Sequence, residues 1–432
     1  MKKDIYKSII WFGLVAVFIF TPIARGTVKI WAIIPVQIVI FSLVFFWLWK
    51  KNNKTQIQKA DCADNQRKTV LDILIWLFVA LAGVSCIFSI YKYESAMAIL
   101  RLLSIAGVFY LVRDTFDKNM VNRFVILIIS IGTVLSLFGL GQYFLGLAHS
   151  WWIPNEFIAS TYVNHNHFSG YLELVIPPII GLLLAYRSWP IQEGYKKIFR
   201  ILLISAFVLV VLAFVFAQSR GAWVCLTISL IVMAVILVKK RFLSKKRLFI
   251  FLFFILLGAV YIYAGHDALT TRFKTFEDIK SENFIDGRKL IWEGSIDMIK
   301  DNPVVGIGIG TFLWGFPKYQ GPGLNVRVRF AHNEYLHMMA EMGVIALFLM
   351  LIIIFTVIKT GIRKVYSKFD KSNSFKRRFT VSDGIYLGSS IGILSLALHG
   401  LVDFNFHILA NMLVVSLLAG IIMQISKEEN IC

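Results

Sequence analysis

Long apolar stretches recur along almost the whole of this chain, and each is the length that a membrane demands of a helix. A span needs about 17–25 mainly apolar residues. Twelve segments at or near that length are candidates: Ile9–Ile23, Ile30–Trp49, Val70–Ile90, Ser95–Val112, Phe124–Leu147, Ser169–Tyr186, Ile201–Ala217, Ala222–Val238, Leu248–Ala264, Met338–Ile358, Gly384–Leu401 and Ile408–Ile425. Only 16% of the residues are charged and 58% are hydrophobic. A soluble domain carries about 25% charged residues. The expectation is therefore an all-α, polytopic membrane helix bundle of about twelve spans, with residues 1–432 forming a single integral domain. No small-residue cleavage site follows the first segment, which reads as a retained span.

The net charge of +20 could suggest nucleic acid. Its placement argues against that. With an inside N-terminus, about 31 of the 45 Lys and Arg residues fall in stretches on one side, including Lys239-Lys240-Arg241, Lys245-Lys246-Arg247 and Lys376-Arg377-Arg378. Such asymmetry orients membrane proteins with the basic loops in the cytoplasm. Four cysteines without a CxxC spacing suggest neither a disulfide framework nor a thiolate zinc site.

One loop stands apart. Residues 265–337 lie between the ninth and tenth spans, on the outer side. The nine basic residues there meet a similar acidic number. Loops of such length are usually functional. Within it, Arg288–Lys300 has helical spacing, with Ile291, Ser295 and Ile299 on one face, and Asn302-Pro303 ends it. Gly306, Gly308 and Gly310 then alternate in a flexible or tightly turning segment. They lack the spacing of a dinucleotide fingerprint.

Polar residues at membrane boundaries are costly and often functional. Arg220 sits in a tight outer turn, Gln218-Ser219-Arg220-Gly221. It reads either as an interface anchor or as a bidentate phosphate ligand. Arg288 is expected to open the loop helix, where it is either a solvated residue or a second phosphate ligand aided by the helix terminus. His332, in Ala331-His332-Asn333-Glu334-Tyr335-Leu336-His337, is the best placed general base, or else an interfacial histidine bonded to a carbonyl. On a continuous helix, His337 would point some 140° away from it. Glu341 is expected to cap or to pair within the bundle. His165 and His167 form an H-x-H, a weak metal motif. His399 and Asp403, at i and i+4, can pair or face a polar cavity.

At these residues the sequence resembles the O-antigen ligase/polymerase superfamily of bacterial envelope enzymes. The likeness is carried by Gly287-Arg288 with Trp292, Asn302-Pro303, the Gly306–Gly310 run, and His332-Asn333 followed by Gly343. Asn164-His165-Asn166 and Ser219-Arg220-Gly221 add to it. The resemblance implies a GT-C-like membrane glycosyltransferase of the inner membrane with its site facing the periplasm. It implies an undecaprenyl-pyrophosphate-linked glycan as donor and an acceptor hydroxyl: lipid A–core for a ligase, another carrier-linked glycan for a polymerase, a protein for an O-oligosaccharyltransferase. It also implies inversion and no metal or other cofactor. His332 would be the catalytic base, with Arg220, Arg288, Asn333 and Asp403 binding substrate. Two rivals from other classes are a secondary transporter and a metal-dependent hydrolase using His165, His167 and His332.

Overall fold

In a computed structural model, the structure describes residues 5–53, 69–146, 157–240, 242, 282–322, 324, 326–367 and 379–424. Among these, ten helices are long and apolar enough to cross a membrane, and a shorter apolar helix follows them. The chain is an all-helical, multi-pass membrane protein. In order, the spans are α1 (Ile5–Ile23), α2 (Ile30–Asn52), α3 (Val70–Ile87), α4 (Lys92–Thr115), α5 (Lys118–Leu145), α6 (His165–Leu184), α7 (Glu193–Phe216) and α8 (Arg220–Lys239). Then come α9 (Glu282–Asp301), which is amphipathic and belongs to the loop, and α10 (Glu334–Ser367), α11 (Val381–His399) and α12 (Leu409–Met423). Eleven of the twelve expected spans are thus present. The expected span at 248–264, the start of the loop at 265 and the basic residues 245–247 and 376–378 lie outside the described residues.

Helix starts follow local chemistry. Thr69 and Asp72 form a reciprocal capping box at α3, and Thr380 and Asp383 do the same at α11. Asp72 also pairs with Arg113 at the end of α4, tying two spans together at the bundle end where the basic residues gather.

Helices α6 and α11 run through the centre, packed along their length. Of the ten long spans they are the most buried, at 83% and 78%, and they are among the least apolar. Their backbones nearly touch at Gly181 and Gly384. A Cβ on Gly181 would fall 2.1 Å from the carbonyl oxygen of Gly384. Any side chain there would prise the central pair apart.

The tenth span is not one helix. Gly343 has φ 78° and ψ 176°, which breaks α10 into a short segment from Glu334 and the long membrane segment beyond. This backbone region is open essentially to glycine alone. The break admits the loop, since the carbonyl oxygen of Val304 occupies the place of a Gly343 side chain. The glycine run is correspondingly docked rather than loose. Gly306, Gly308 and Gly310 all have positive φ, and Ile307 and Gly308 donate to the carbonyls of Ala340 and Glu341. The loop has its own small core, in which Ile291 and Met298 from α9 meet Phe312, Phe316 and Ala331.

Candidate functional site

Four segments distant in sequence meet at the bundle end opposite the Asp72–Arg113 pair: the starts of α6, α8 and α10, and the end of α11 with the turn at 400–408 that follows it. The N–H of Glu334 donates to the carbonyl of Gly400 at 2.7 Å, and the Tyr335 hydroxyl to that of Ala397 at 2.6 Å. The Glu334 carboxylate accepts the N–H of Phe406. At α8, Ser219 caps the helix and Gly221 lies against His399, where a Cβ would stand 3.3 Å from the ring. Arg220, the first residue of α8, therefore emerges beside His399.

Asp403 is the hub. It is 1% exposed, and Oδ1 accepts the N–H of Phe404 at 2.8 Å. His332 Nδ1 lies 3.8 Å from the same oxygen, and His399 Nε2 lies 3.9 Å from Oδ2. Neither contact is a hydrogen bond, and among the described residues both Asp403 Oδ2 and His332 Nδ1 are buried atoms without a partner. His167 is the third imidazole within electrostatic reach of this carboxylate. Phe404 spaces the group, with the rings of His167 and His332 set edge-on to it at 4.6 and 4.9 Å. Burial alone would raise the Asp403 pKa. The His332 ring, the other two imidazoles and the Phe404 N–H more than offset this and hold it well below the usual carboxylate range.

His332 itself stands just outside α10, with φ 50°. It is not on a continuous helix with His337, so the helical phase between them does not apply. Its neighbours brace it instead. Trp292 of α9 donates to the Ala331 carbonyl at 2.9 Å, and Asn333 Oδ1 accepts the N–H groups of Tyr335 and Leu336. Asn333 is thus the cap of α10, and only its amide nitrogen is available to a ligand.

Arg220 lies at the outer turn as expected, whereas Arg288 departs from its expected setting. Arg288 does not open α9: the helix starts at Glu282, about one and a half turns earlier. Arg220 is the one at a helix start. Arg288 is half-buried, and burial lowers its pKa, with Arg220 adding to the effect and Asp403 opposing it. Arg288 therefore lies within electrostatic reach of both. The structure brings Arg220, Arg288, His332 and Asp403 to one place.

The H-x-H pair divides. His165 Nδ1 contacts the Ala217 carbonyl at 2.7 Å and its ring packs on Phe157, while His167 faces Asp403. They do not form a joint metal site. Among the described residues, His337, Glu341 and His407 do have donor atoms within 4.8 Å of one another. Their bonding argues against a metal there. The N–H of Ala331 donates to His337 Nδ1 at 3.3 Å, so a neutral ring carries its hydrogen on Nε2, which lies 3.2 Å from Glu341 Oε1. A ligating Nε2 would require both nitrogens to be stripped. Glu341 also accepts the N–H groups of Gly310 and Phe312 at 2.7 and 2.8 Å, so the cluster fastens the glycine run to α10. Glu334 similarly faces His407 Nδ1 at 2.9 Å.

Sequence reading missed Glu173. This fully buried carboxylate of α6 lies 2.7 Å from His399 Nδ1 and accepts the Ser395 hydroxyl at 2.7 Å. A lone acidic residue inside an apolar span was the available signal. Comparison with curated proteins finds no match. Residues 205–351, from α7 to the membrane segment of α10, match the family model described as O-antigen ligase. They contain Arg220, Arg288 and His332 with the loop between them, and in this third of the chain the protein is similar to the O-antigen ligase family.

Proposed function

We propose that the protein transfers a glycan from an undecaprenyl-pyrophosphate carrier to an acceptor hydroxyl, with lipid A–core the favoured acceptor. The reaction takes place at the periplasmic face of the inner membrane. The single observation that carries this reading is the meeting of two arginines with a histidine–carboxylate pair at one end of the bundle, away from the basic end.

The chemistry follows from those groups. The acceptor oxygen bonds to the anomeric carbon as that carbon's bond to phosphate breaks, which inverts the centre. The electron pair leaves with the pyrophosphate. Arg220 and Arg288 meet that charge, each able to hold phosphate oxygens with a planar fork. His332 takes the proton of the attacking hydroxyl, and Asp403 holds the resulting imidazolium and its orientation. Asn333 offers its amide N–H to a substrate oxygen.

The test is reconstitution. The purified protein in lipid vesicles receives an undecaprenyl-pyrophosphate-linked glycan and lipid A–core. The expected result is glycosylated lipid A–core with one undecaprenyl pyrophosphate released per transfer. Lengthening of the carrier-linked glycan would reassign the chain as a polymerase, and glycan on a protein acceptor as an O-oligosaccharyltransferase. Movement of a soluble ion without any transfer would favour a transporter and overturn the reading.

A further inference from the structure

We infer that Glu173 and His399 form a buried positioning pair that aims Asp403, and through it His332; this rests on the glycosyl-transfer reading above. The four side chains alternate acid and base in one line from the middle of the bundle to its end.

The geometry has a direction. Glu173 Oε2 is 2.7 Å from His399 Nδ1, and both residues are essentially without solvent. Asn405 Nδ2 lies 3.3 Å from the same ring nitrogen, but the shorter, charge-assisted contact takes its hydrogen. With Nδ1 committed to Glu173, Nε2 faces Asp403 Oδ2 at 3.9 Å. That oxygen is buried and, among the described residues, has no hydrogen-bond partner. The other oxygen, Oδ1, faces His332. A carboxylate placed behind a histidine fixes its tautomer and ring angle, which is how metal sites orient their ligands.

The placement is also hard to explain as packing. Glu173 and Ser395 sit on the seam of α6 and α11, where the helices press backbone to backbone. Apolar residues of similar volume usually serve such a seam as well as a buried ion pair or better. With both nitrogens protonated, His399 donates to Glu173 and faces the Asp403 carboxylate across 3.9 Å. The line of four then carries one net negative charge, which is neutralised when His332 takes the acceptor's proton. The pair thus favours the protonated His332 that forms during transfer.

The experiment measures single-turnover transfer and donor KM in vesicles for Glu173→Gln and His399→Gln. Glu173→Gln keeps the shape and the acceptor for Ser395 but removes the charge. Each variant should transfer about 10–100-fold more slowly, the range typical of groups behind a working residue, with donor KM within about twofold. In an Asp403→Asn background, Glu173→Gln should add no further loss, because it acts through Asp403. Transfer at the unmodified rate, a loss in KM alone, or a full further loss on top of Asp403→Asn would each overturn the inference. If Glu173→Gln does not yield folded protein, His399→Gln carries the same comparison. His332→Ala measured alongside separates the two levels. An active His332→Ala sinks the base reading and this inference with it, whereas an inactive one beside a normal Glu173→Gln sinks this inference alone.

Discussion

His332 Nδ1 stands 3.8 Å from Asp403 Oδ1, on a residue whose backbone lies in the left-handed region at φ 50°. The gap is too long for a hydrogen bond and leaves no room for a bridging water. A histidine rarely adopts such a backbone, and sites that do so are held there by their surroundings. Here Trp292 grips residue 331 and the α10 cap grips residue 333. The ring is held in place by its neighbours' bonds, a short swing away from hydrogen-bond contact with Asp403.

His332→Ala should therefore lower transfer by about 10²–10⁴-fold, the usual contribution of a general base. Donor binding should stay within a few fold. The check is single-turnover transfer beside a donor-binding titration. Near-normal turnover would remove His332 from the role of base.

Arg220→Lys and Arg288→Lys should each lose most of the transfer rate although the charge is kept. Lysine is a point charge and cannot form the planar fork on phosphate. Transfer assayed at matched, folded protein levels decides it. If both variants work normally, the arginines are interface anchors.

His337→Ala tests the bracing cluster. It leaves the Ala331 N–H and the Glu341 carboxylate each one partner short, at a cost of about 1–3 kcal/mol. The melting midpoint in detergent should fall, while transfer per folded molecule stays close to normal in the presence of a chelator. A chelator-induced loss of transfer, restored by a divalent metal, would instead make this cluster a metal centre.

Gly343→Ala should abolish folded protein. A Cβ there would meet the Val304 carbonyl oxygen at 2.0 Å, on a backbone with φ 78°. Gly83→Ala is the control, since nothing lies within 4 Å of its Cβ position. Within α3 it should leave stability unchanged or raise it by about 0.5–1 kcal/mol. Size-exclusion profiles of the two variants give the comparison.

The spans were legible because a bilayer imposes one length and one polarity on each of them. Their ends were less so: the H-bonding residues Thr69, Asn164 and Ser219 set helix starts that hydropathy does not register. Arg220, Arg288, His332 and Asp403 could be picked out singly as costly polar residues. Their assembly could not, since it depends on packing between helices nearly two hundred residues apart in the chain. The α9 start failed because Glu282–Gly287 carries little apolar period to mark a helix. Within α9, Ile291 and Ser295 are buried as the spacing predicts, while Ile296 is exposed. The His332–Asn333–Gly343 spacing was visible as a pattern, but it did not announce that Gly343 breaks the helix to admit Val304.

The central pair, α6 and α11, bears on how the chain is made. Both are surrounded chiefly by protein rather than lipid, and both carry the polar groups that lipid would reject. During synthesis α6 emerges more than two hundred residues before α11 can cover Glu173. Until then its polar seam must wait against neighbours such as α5 and α7, or be shielded by the insertion machinery. Chains truncated before residue 381 should accordingly retain α1–α5 in the membrane yet hold α6 poorly, making completion of α11 the step that commits the protein to its fold.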